Sequence, residues 1–317
     1  MDNLALAAHK AFRGKEGKQE VIRFRENFTE ELQQLRQEII TDTVKVDDYH
    51  YFTIKDPKER LICAASLKIR ILHHALMNVC HEHFDRRLIY DTYATRPGKG
   101  VYAALDRAKN KMIAHPYYVK LDVRKYYDSI DHRILKQQLA RLFKDSSLLR
   151  LFYRIIDSYA VSEQRGLPIG NLTSQYFANL YLSELDHYMK EVAGADVYLR
   201  YMDDVLILGE SRAELKNVAQ TFTRYADRRL NLTIKPPQLG RCSAGVSFLG
   251  YRVFPGYLQP NGRSKRRFRT KLLDYDKQLQ TGKLTEEQCA LGVVPMLAFL
   301  NHAKSYRFRQ ACMKLLG

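Results

Sequence analysis

Val197-Tyr198-Leu199-Arg200-Tyr201-Met202-Asp203-Asp204-Val205-Leu206-Ile207-Leu208-Gly209 is a pair of β-rich runs around a short polar turn. That pattern predicts a hairpin with two carboxylates at its tip. Far upstream, Tyr117-Tyr118-Val119-Lys120-Leu121-Asp122-Val123 is another short β-rich run that ends near a carboxylate. Where the two tips meet, three carboxylates converge. Such a cluster repels itself unless cations occupy it, and hard oxygen ligands suit Mg2+. Two ions a few ångströms apart clamp the attacking and leaving oxygens of an in-line phosphoryl displacement. Asp122, Asp203 and Asp204 are therefore candidate catalytic residues and metal ligands, for two Mg2+ per site with Mn2+ as the alternative. A bare Asp-Asp pair is usually a solvated turn, so the company the pair keeps decides.

The 317 residues are enough for about two average domains or one composite one, and an apolar content of 45% supports a buried core. Lys and Arg number 52 against 35 Asp and Glu, a net charge of +17. An excess that large and partly clustered predicts a polyanionic partner, nucleic acid first. No apolar run approaches the ~20 residues that span a bilayer. Met1 to Lys18 lacks the apolar core and small-residue cleavage site of a secretory leader. The cysteines Cys63, Cys80, Cys242, Cys289 and Cys312 are scattered and form no C-x-x-C pair. That usage predicts a reducing, cytoplasmic setting without zinc or disulfides, and the lack of a spanning run predicts no membrane.

Helical patterning dominates residues 1–50, notably Asn27 to Ile40, and Tyr51 to Ile62 reads as strand, turn, strand. Ala64 to Phe84 has apolar residues at helical spacing, and Thr95-Arg96-Pro97-Gly98-Lys99-Gly100 is a breaker-rich loop that opens a helix. Asp131 to Ala160 is helical and partly basic. Asn171 to Ser174 offers caps for a helix over Gln175 to Val192. Another helix is expected from Ser211 to Leu230, then β-like runs at Leu232 to Lys235 and Val246 to Tyr251. A very basic segment begins the tail at 262, with one or two helices after it. There is no internal repeat and no low-complexity tract.

The order of these pieces resembles the palm of reverse transcriptases, motif by motif, over roughly residues 50–255. Leu121-Asp122 with Tyr127 is similar to the first palm motif, and Gly166-Leu167-Pro168-Ile169-Gly170 through Gln175 to the second. Tyr201 to Asp204 resembles the Tyr-x-Asp-Asp box, Lys235 the lysine of the next motif, and Phe248-Leu249-Gly250-Tyr251 the turn that grips the primer. Lys58-Glu59-Arg60-Leu61-Ile62 and Tyr93 to Gly100 resemble fingers motifs. The resemblance implies an α+β, right-hand polymerase fold of fingers, palm with an antiparallel sheet, and a short helical thumb. Its division would be 1–88 N-terminal segment and fingers, 89–133 palm, 134–160 helical fingers insertion, 161–254 palm and 255–317 thumb.

Within that family, Ile169-Gly170-Asn171-Leu172-Thr173-Ser174-Gln175 resembles the signature of diversity-generating retroelements. Most other reverse transcriptases carry Gln where this chain has Ile169, and often Ser-Pro where it has Ser174-Gln175. The short length, without RNase H, endonuclease or maturase-like modules, also resembles that subgroup. The resemblance implies an RNA-directed DNA polymerase that copies a template-repeat RNA into cDNA, with errors mostly opposite adenine. It also implies a bacterial or phage origin and a small basic accessory protein that forms a pentamer.

Residue by residue, the resemblance places Tyr127 where an aromatic ring blocks a ribose 2′-OH and so selects dNTPs by sterics. Arg60 and Lys58 fall where fingers residues hold the incoming triphosphate; a guanidinium fits phosphate oxygens bidentately, a lysine acts as a point charge. Ile169 lies against the nucleotide, and Lys235 near the leaving pyrophosphate as a general acid or electrostatic aid. Arg96 and Lys99 are expected on template phosphates, with Gln175 and Gly250 also along the nucleic acid. Arg263, Arg266 and Arg267 are expected on the duplex backbone. Tyr201 is expected to pack under its turn, and His73 and His74 to pack without metal. The alternatives are another bacterial reverse transcriptase (retron, group II intron-like or phage defence) and a catalytically idle nucleic-acid-binding module. A primer-independent RNA replicase is disfavoured by Tyr127.

Overall fold

The computed structural model describes residues 1–55 and 59–316. In chain order the elements are α1 (Asp2–Phe12), α2 (Gln19–Glu26), α3 (Phe28–Ile40), β1 (Tyr49–Lys55), β2 (Glu59–Ala65), α4 (Leu67–Arg87), α5 (Val101–Lys111) and β3 (Tyr117–Asp122). Then follow α6 (Tyr126–Ser129), α7 (His132–Leu142), α8 (Ser146–Asp157), α9 (Leu172–Tyr181), α10 (Ser183–Glu191), β4 (Val197–Tyr201), β5 (Asp204–Gly209) and α11 (Arg212–Leu230). The last are β6 (Gln238–Arg241), β7 (Val246–Phe248), β8 (Tyr251–Phe254), β9 (Tyr257–Pro260), α12 (Gly262–Gln280), α13 (Glu286–Asn301) and α14 (Tyr306–Met313). Among the described residues no helix is long and apolar enough to cross a membrane. Lys58 lies outside the described residues.

The chain divides into two units. The first comprises Met1–Tyr90, Val123–Tyr188 and Phe222–Lys235. Its β1–β2 hairpin pairs antiparallel from Tyr49↔Ala65 to Lys55↔Glu59. Its core is aromatic: Phe84 of α4, Phe143, Phe152 of α8 and Phe177 of α9 meet with ring centroids 5.3 to 6.2 Å apart. Such pairs contribute about 0.5–1.5 kcal/mol each beyond their buried area, which fixes α4, α8 and α9 against one another.

Four expectations for this unit are refined or corrected. The 131–160 stretch is two helices, because two side chains cap two starts. Asp131 accepts from the amides of Arg133 and Ile134, and Asp145 from that of Leu148. Asn171 to Ser174 is not a set of caps: α9 begins at Leu172, Thr173 and Ser174 are buried inside it, and Asn171 Oδ1 instead accepts the Ala65 amide of β2 at 3.2 Å. The helix expected to Val192 also breaks, at Leu182, into α9 and α10. Leu232 to Lys235 forms no strand, only a bridge between Val123 and Ile234 beside an Arg124 amide to Thr233 carbonyl bond of 2.8 Å.

The second unit comprises Asp91–Asp122, Met189–Thr221 and Pro236–Gly317. Its centre is a four-stranded antiparallel sheet in the order β4-β5-β3-β6. Val205, Leu206, Ile207 and Leu208 of β5 are all buried, which is why this strand is a continuous apolar run rather than an alternating one. One face packs Leu199, Leu206 and Leu208 against Ala104, Leu105 and Ala108 of α5 and against Val246, Phe248 and Tyr251. At the β3–β6 contact Gly240 lies opposite Tyr118, and a Cβ there would come within 2.6 Å of the end of the tyrosine ring, which would have to shift to admit a larger residue. Strands β7-β8-β9 form a separate antiparallel meander. The basic segment from 262 is itself helical: α12 starts on Asn261, whose side chain accepts the Ser264 amide at 2.8 Å. Phe268, Leu272, Leu300 and Cys312 close a small core under α12–α14.

Candidate active site

Register sets the geometry of the carboxylates. Asp122 at the end of β3 pairs directly with Asp204 at the start of β5, and Tyr201 pairs with Asp204 across a two-residue turn formed by Met202 and Asp203. Directly opposed residues in an antiparallel pair have Cβ atoms about 4.5–5.5 Å apart on one face, and like charges so placed destabilise the sheet. All three aspartates are half-buried, which strengthens that repulsion.

Lys120 sits two residues before Asp122, hence on the same face, and opposite Leu206. Its ammonium reaches diagonally to Asp204 Oδ1 at 3.0 Å, with the lysine side chain only 15% exposed. The contact is ionic rather than an aligned hydrogen bond: Asp204 Oδ1 is enclosed and, among the described residues, has no hydrogen-bond partner. Among those residues no three His, Cys, Asp or Glu side chains form a ready metal cage. Asp122 opposed in register to Asp204, with Asp203 in the adjoining turn, nevertheless offers the hard oxygen donors that suit a divalent cation.

The turn is conformationally tight. Met202 holds φ +52°, a left-handed backbone that costs a non-glycine residue about 1–2 kcal/mol. Tyr201 packs against the core cluster beneath, and burial raises its hydroxyl pKa above the ordinary tyrosine value. Leu249 and Gly250 make the β7–β8 turn with φ +47° and +88°, the two positive values that a tight hairpin demands. The Gly250 carbonyl accepts the Ser264 hydroxyl at 2.7 Å, tying that turn to α12. Along α12, Arg263, Arg266, Arg267 and Lys271 recur at helical spacing on one exposed stripe, opposite buried Phe268 and Leu272. Arg96 and Lys99 are engaged with their own loop: Arg96 donates to the Thr92 carbonyl at 3.0 Å, and the Lys99 ammonium lies 5.0 Å from the centroid of the Tyr93 ring.

The remaining candidates belong to the first unit. Arg60 is exposed on β2, opposite Ile54. The Ile169 carbonyl accepts the Cys63 amide of β2, and the Tyr127 carbonyl accepts the Leu167 amide, both at 2.9 Å. Tyr127 is half-buried, whereas Tyr126 is 3% exposed and donates its hydroxyl to the Ala178 carbonyl, so Tyr126 is the core tyrosine. Ile169, Gln175 and Lys235 are half-buried. The structure thus gathers Asp122, Asp203, Asp204 and the α12 cations in one unit, and Arg60, Tyr127, Ile169, Gln175 and Lys235 in the other.

Two residues close to the carboxylates escaped the sequence reading. Lys120 was detectable from the two-residue period alone. Arg200 was detectable as a charge inside an apolar strand; it is 0% exposed, and its Nη1 donates to the Met202 carbonyl at 3.1 Å.

Comparison with known proteins agrees with this geometry. Residues 54–253 match the family model described as reverse transcriptase (RNA-dependent DNA polymerase). The chain is 21% identical to YkfC of Escherichia coli, covering 64% of this chain and 65% of that one. It is 20% identical to the COX1/OXI3 intron 2 protein of Saccharomyces cerevisiae, covering 58% of this chain and 29% of that one. The chain therefore spans less than two thirds of either relative. Apo telomerase from Candida tropicalis superposes with a TM-score of 0.55 at 13% identity, over 88% of this chain and 63% of that one. The same telomerase with a fragment of telomeric RNA gives 0.53 at 12% identity, over 89% and 58%. With an antiparallel sheet that pairs Asp122 against Asp204 and a family match across most of its length, the chain belongs to the reverse transcriptase (RNA-dependent DNA polymerase) family and has its right-hand polymerase fold.

Proposed function

We propose that this protein is an RNA-directed DNA polymerase of the diversity-generating retroelement type. It copies a template-repeat RNA into cDNA and misincorporates mainly opposite adenine. The observation that carries the chemistry is the Asp122↔Asp204 register with Asp203 in the adjoining turn. Asp122 and Asp203 would hold Mg2+ (or Mn2+), with Lys120 balancing Asp204, which orients rather than ligates. When bound, the metal neutralises charge on the α-phosphate and on the departing pyrophosphate. The chain's own residues do the rest. Tyr127 excludes a 2′-OH, Arg60 binds the triphosphate, and Lys235 meets the pyrophosphate with a proton or a charge. The Gly250 turn and the arginines of α12 hold primer and duplex, and Gln175, Arg96 and Lys99 follow the template. Residues 1–88 and 134–160 then serve as fingers, 89–133 and 161–254 as palm, and 255–317 as thumb.

The mutagenic reading rests on Ile169. Its carbonyl accepts the Cys63 amide, which supports a fixed loop, and by the resemblance its apolar branched side chain stands where most other reverse transcriptases carry glutamine. A lost neutral hydrogen bond is worth about 0.5–1.5 kcal/mol, which makes the loss of discrimination several-fold rather than absolute. A cytoplasmic setting in a bacterium or phage host and a small basic pentameric accessory protein complete the proposal. The test is Ile169→Gln: sequencing of cDNA made by both enzymes on one template is expected to show fewer errors opposite adenine, with other positions little changed. Identical error spectra overturn the role of Ile169. The intron-encoded relative favours a second reading, an intron-like or other bacterial reverse transcriptase with the same chemistry. Flanking DNA that carries a variable repeat differing from its template at adenines distinguishes the two.

A further inference from the structure

Arg200 is a fully buried guanidinium in an otherwise apolar strand. Its register partner is Val205, whereas Tyr201 pairs with Asp204. Side chains alternate along a strand, so Arg200 leaves the sheet on the face away from Asp204 and Asp122. From there Nη1 returns to the carbonyl oxygen of Met202, 3.1 Å away. Met202 opens the two-residue turn and is left-handed, with φ +52°. A non-glycine residue keeps that conformation only where its surroundings over-determine it.

The peptide unit whose oxygen Arg200 holds is the one that joins Met202 to Asp203. Fixing its plane fixes the N–Cα bond of Asp203 and so narrows the directions in which that side chain leaves the turn. The strand that carries the guanidinium is itself anchored. The Arg200 amide donates to the Asp91 carbonyl and the Tyr93 amide to the Arg200 carbonyl, both at 2.9 Å. The buried Asp91 carboxylate takes Arg107 Nε and Nη2 at 3.0 and 3.2 Å and the Tyr93 hydroxyl at 2.8 Å. A planar guanidinium on so stiff a base loses little freedom in making its bond. Filling an apolar position with a buried charge is costly, so packing alone does not account for it.

We propose that Arg200 is a positioning residue for Asp203: it clamps the Met202–Asp203 peptide so that the carboxylate meets metal and nucleotide in one orientation. The inference rests on Asp203 being a metal ligand. The test is Arg200→Lys, which keeps the charge and loses the planar fork. Mn2+ binding is followed by the free-ion EPR signal, beside single-turnover extension and circular dichroism. The variant is expected to stay folded, to bind Mn2+ about tenfold more weakly and to lose about tenfold in kcat. Its KM for dNTP is expected to stay within about twofold, because the nucleotide's own contacts are untouched. Wild-type Mn2+ affinity and wild-type kcat per folded molecule, with only a lowered Tm, overturn the inference. Should Arg200→Lys fail to fold, Met202→Gly serves: with the clamp intact, its Mn2+ affinity is expected within about twofold of wild type, and about tenfold weaker binding overturns the inference. Asp203→Asn separates the two levels. Wild-type Mn2+ binding in that variant removes the ligand assignment and this inference with it, whereas weak binding there beside normal binding in Arg200→Lys removes this inference alone.

Discussion

The Lys120 ammonium lies 3.0 Å from Asp204 Oδ1, inside the face that also carries Asp122. A fixed cation there offsets one of the three carboxylates, and on the proposed function Asp204 then orients while Asp122 and Asp203 ligate. Asp122→Asn or Asp203→Asn is expected to reduce primer extension by on the order of 10³ with the fold intact, since each removes a charge at almost constant volume. Asp204→Asn is expected to cost less, about 10- to 100-fold. Single-turnover extension by the three purified variants checks this; equal losses in all three would mean that Asp204 ligates as the others do.

Sugar selection is expected to reside in Tyr127, which is half-buried while its neighbour Tyr126 is locked in the core. Tyr127→Val opens space at the ribose C2′ and should raise rNTP incorporation relative to dNTP by about 10-fold or more, a steric discrimination of about 1.4 kcal/mol. An unchanged ratio would return Tyr127 to a packing role.

The arginine stripe of α12 predicts a salt signature. Arg266→Ala with Arg267→Ala should weaken duplex binding and flatten the plot of log affinity against log salt by roughly 0.9 for each lost phosphate contact on B-form DNA, less on a hybrid. Fluorescence anisotropy at several salt concentrations measures the slope. A slope equal to wild type would make the stripe a solvated face.

Acid stability should depend on His73. The imidazole is fully buried, with Nε2 lacking a hydrogen-bond partner among the described residues, and burial pushes its pKa from 6.5 down to about 3, with His74 adding to the effect. The unfolded chain therefore binds a proton between about pH 3 and 6.5 that the native state refuses. The contribution is fully present above pH 6.5 and is lost as pH falls, by about 2 kcal/mol at pH 5. Urea unfolding at pH 7 and pH 5 should show this loss in wild type and a shallower one in His73→Leu.

What was legible in the sequence was local. The hairpin from Val197 to Gly209, the strand before Asp122 and the helices at 28–40 and 212–230 follow from periodicity and turn chemistry that neighbouring residues supply. What was not legible depends on partners far along the chain. Asn171 has the chemistry of a cap, yet its oxygen bonds Ala65, 106 residues earlier. Leu232 to Lys235 has the propensity of a strand but extends no ladder beyond a single bridge. Lys120 and Arg200 stand out as charges in β-rich runs, but the reach of one to Asp204 and of the other to the Met202 carbonyl follows only once β3, β4 and β5 are in register.

The two units are each assembled from three separate stretches, and the chain passes between them at 90–91, 122–123, 188–189, 221–222 and 235–236. On the ribosome this order matters. Asp122 leaves the exit tunnel 82 residues ahead of Asp204 (204 minus 122), a wait of roughly 4 to 16 s at about 5–20 residues per second. During that interval β3 has neither of its strand partners, β5 or β6, and its buried residues Val119 and Leu121 have no sheet to join. Slow codons or a pause between residues 122 and 204 would prolong the exposure of an unpaired apolar edge, so the yield of folded protein should respond to elongation rate and to chaperones that bind nascent apolar segments.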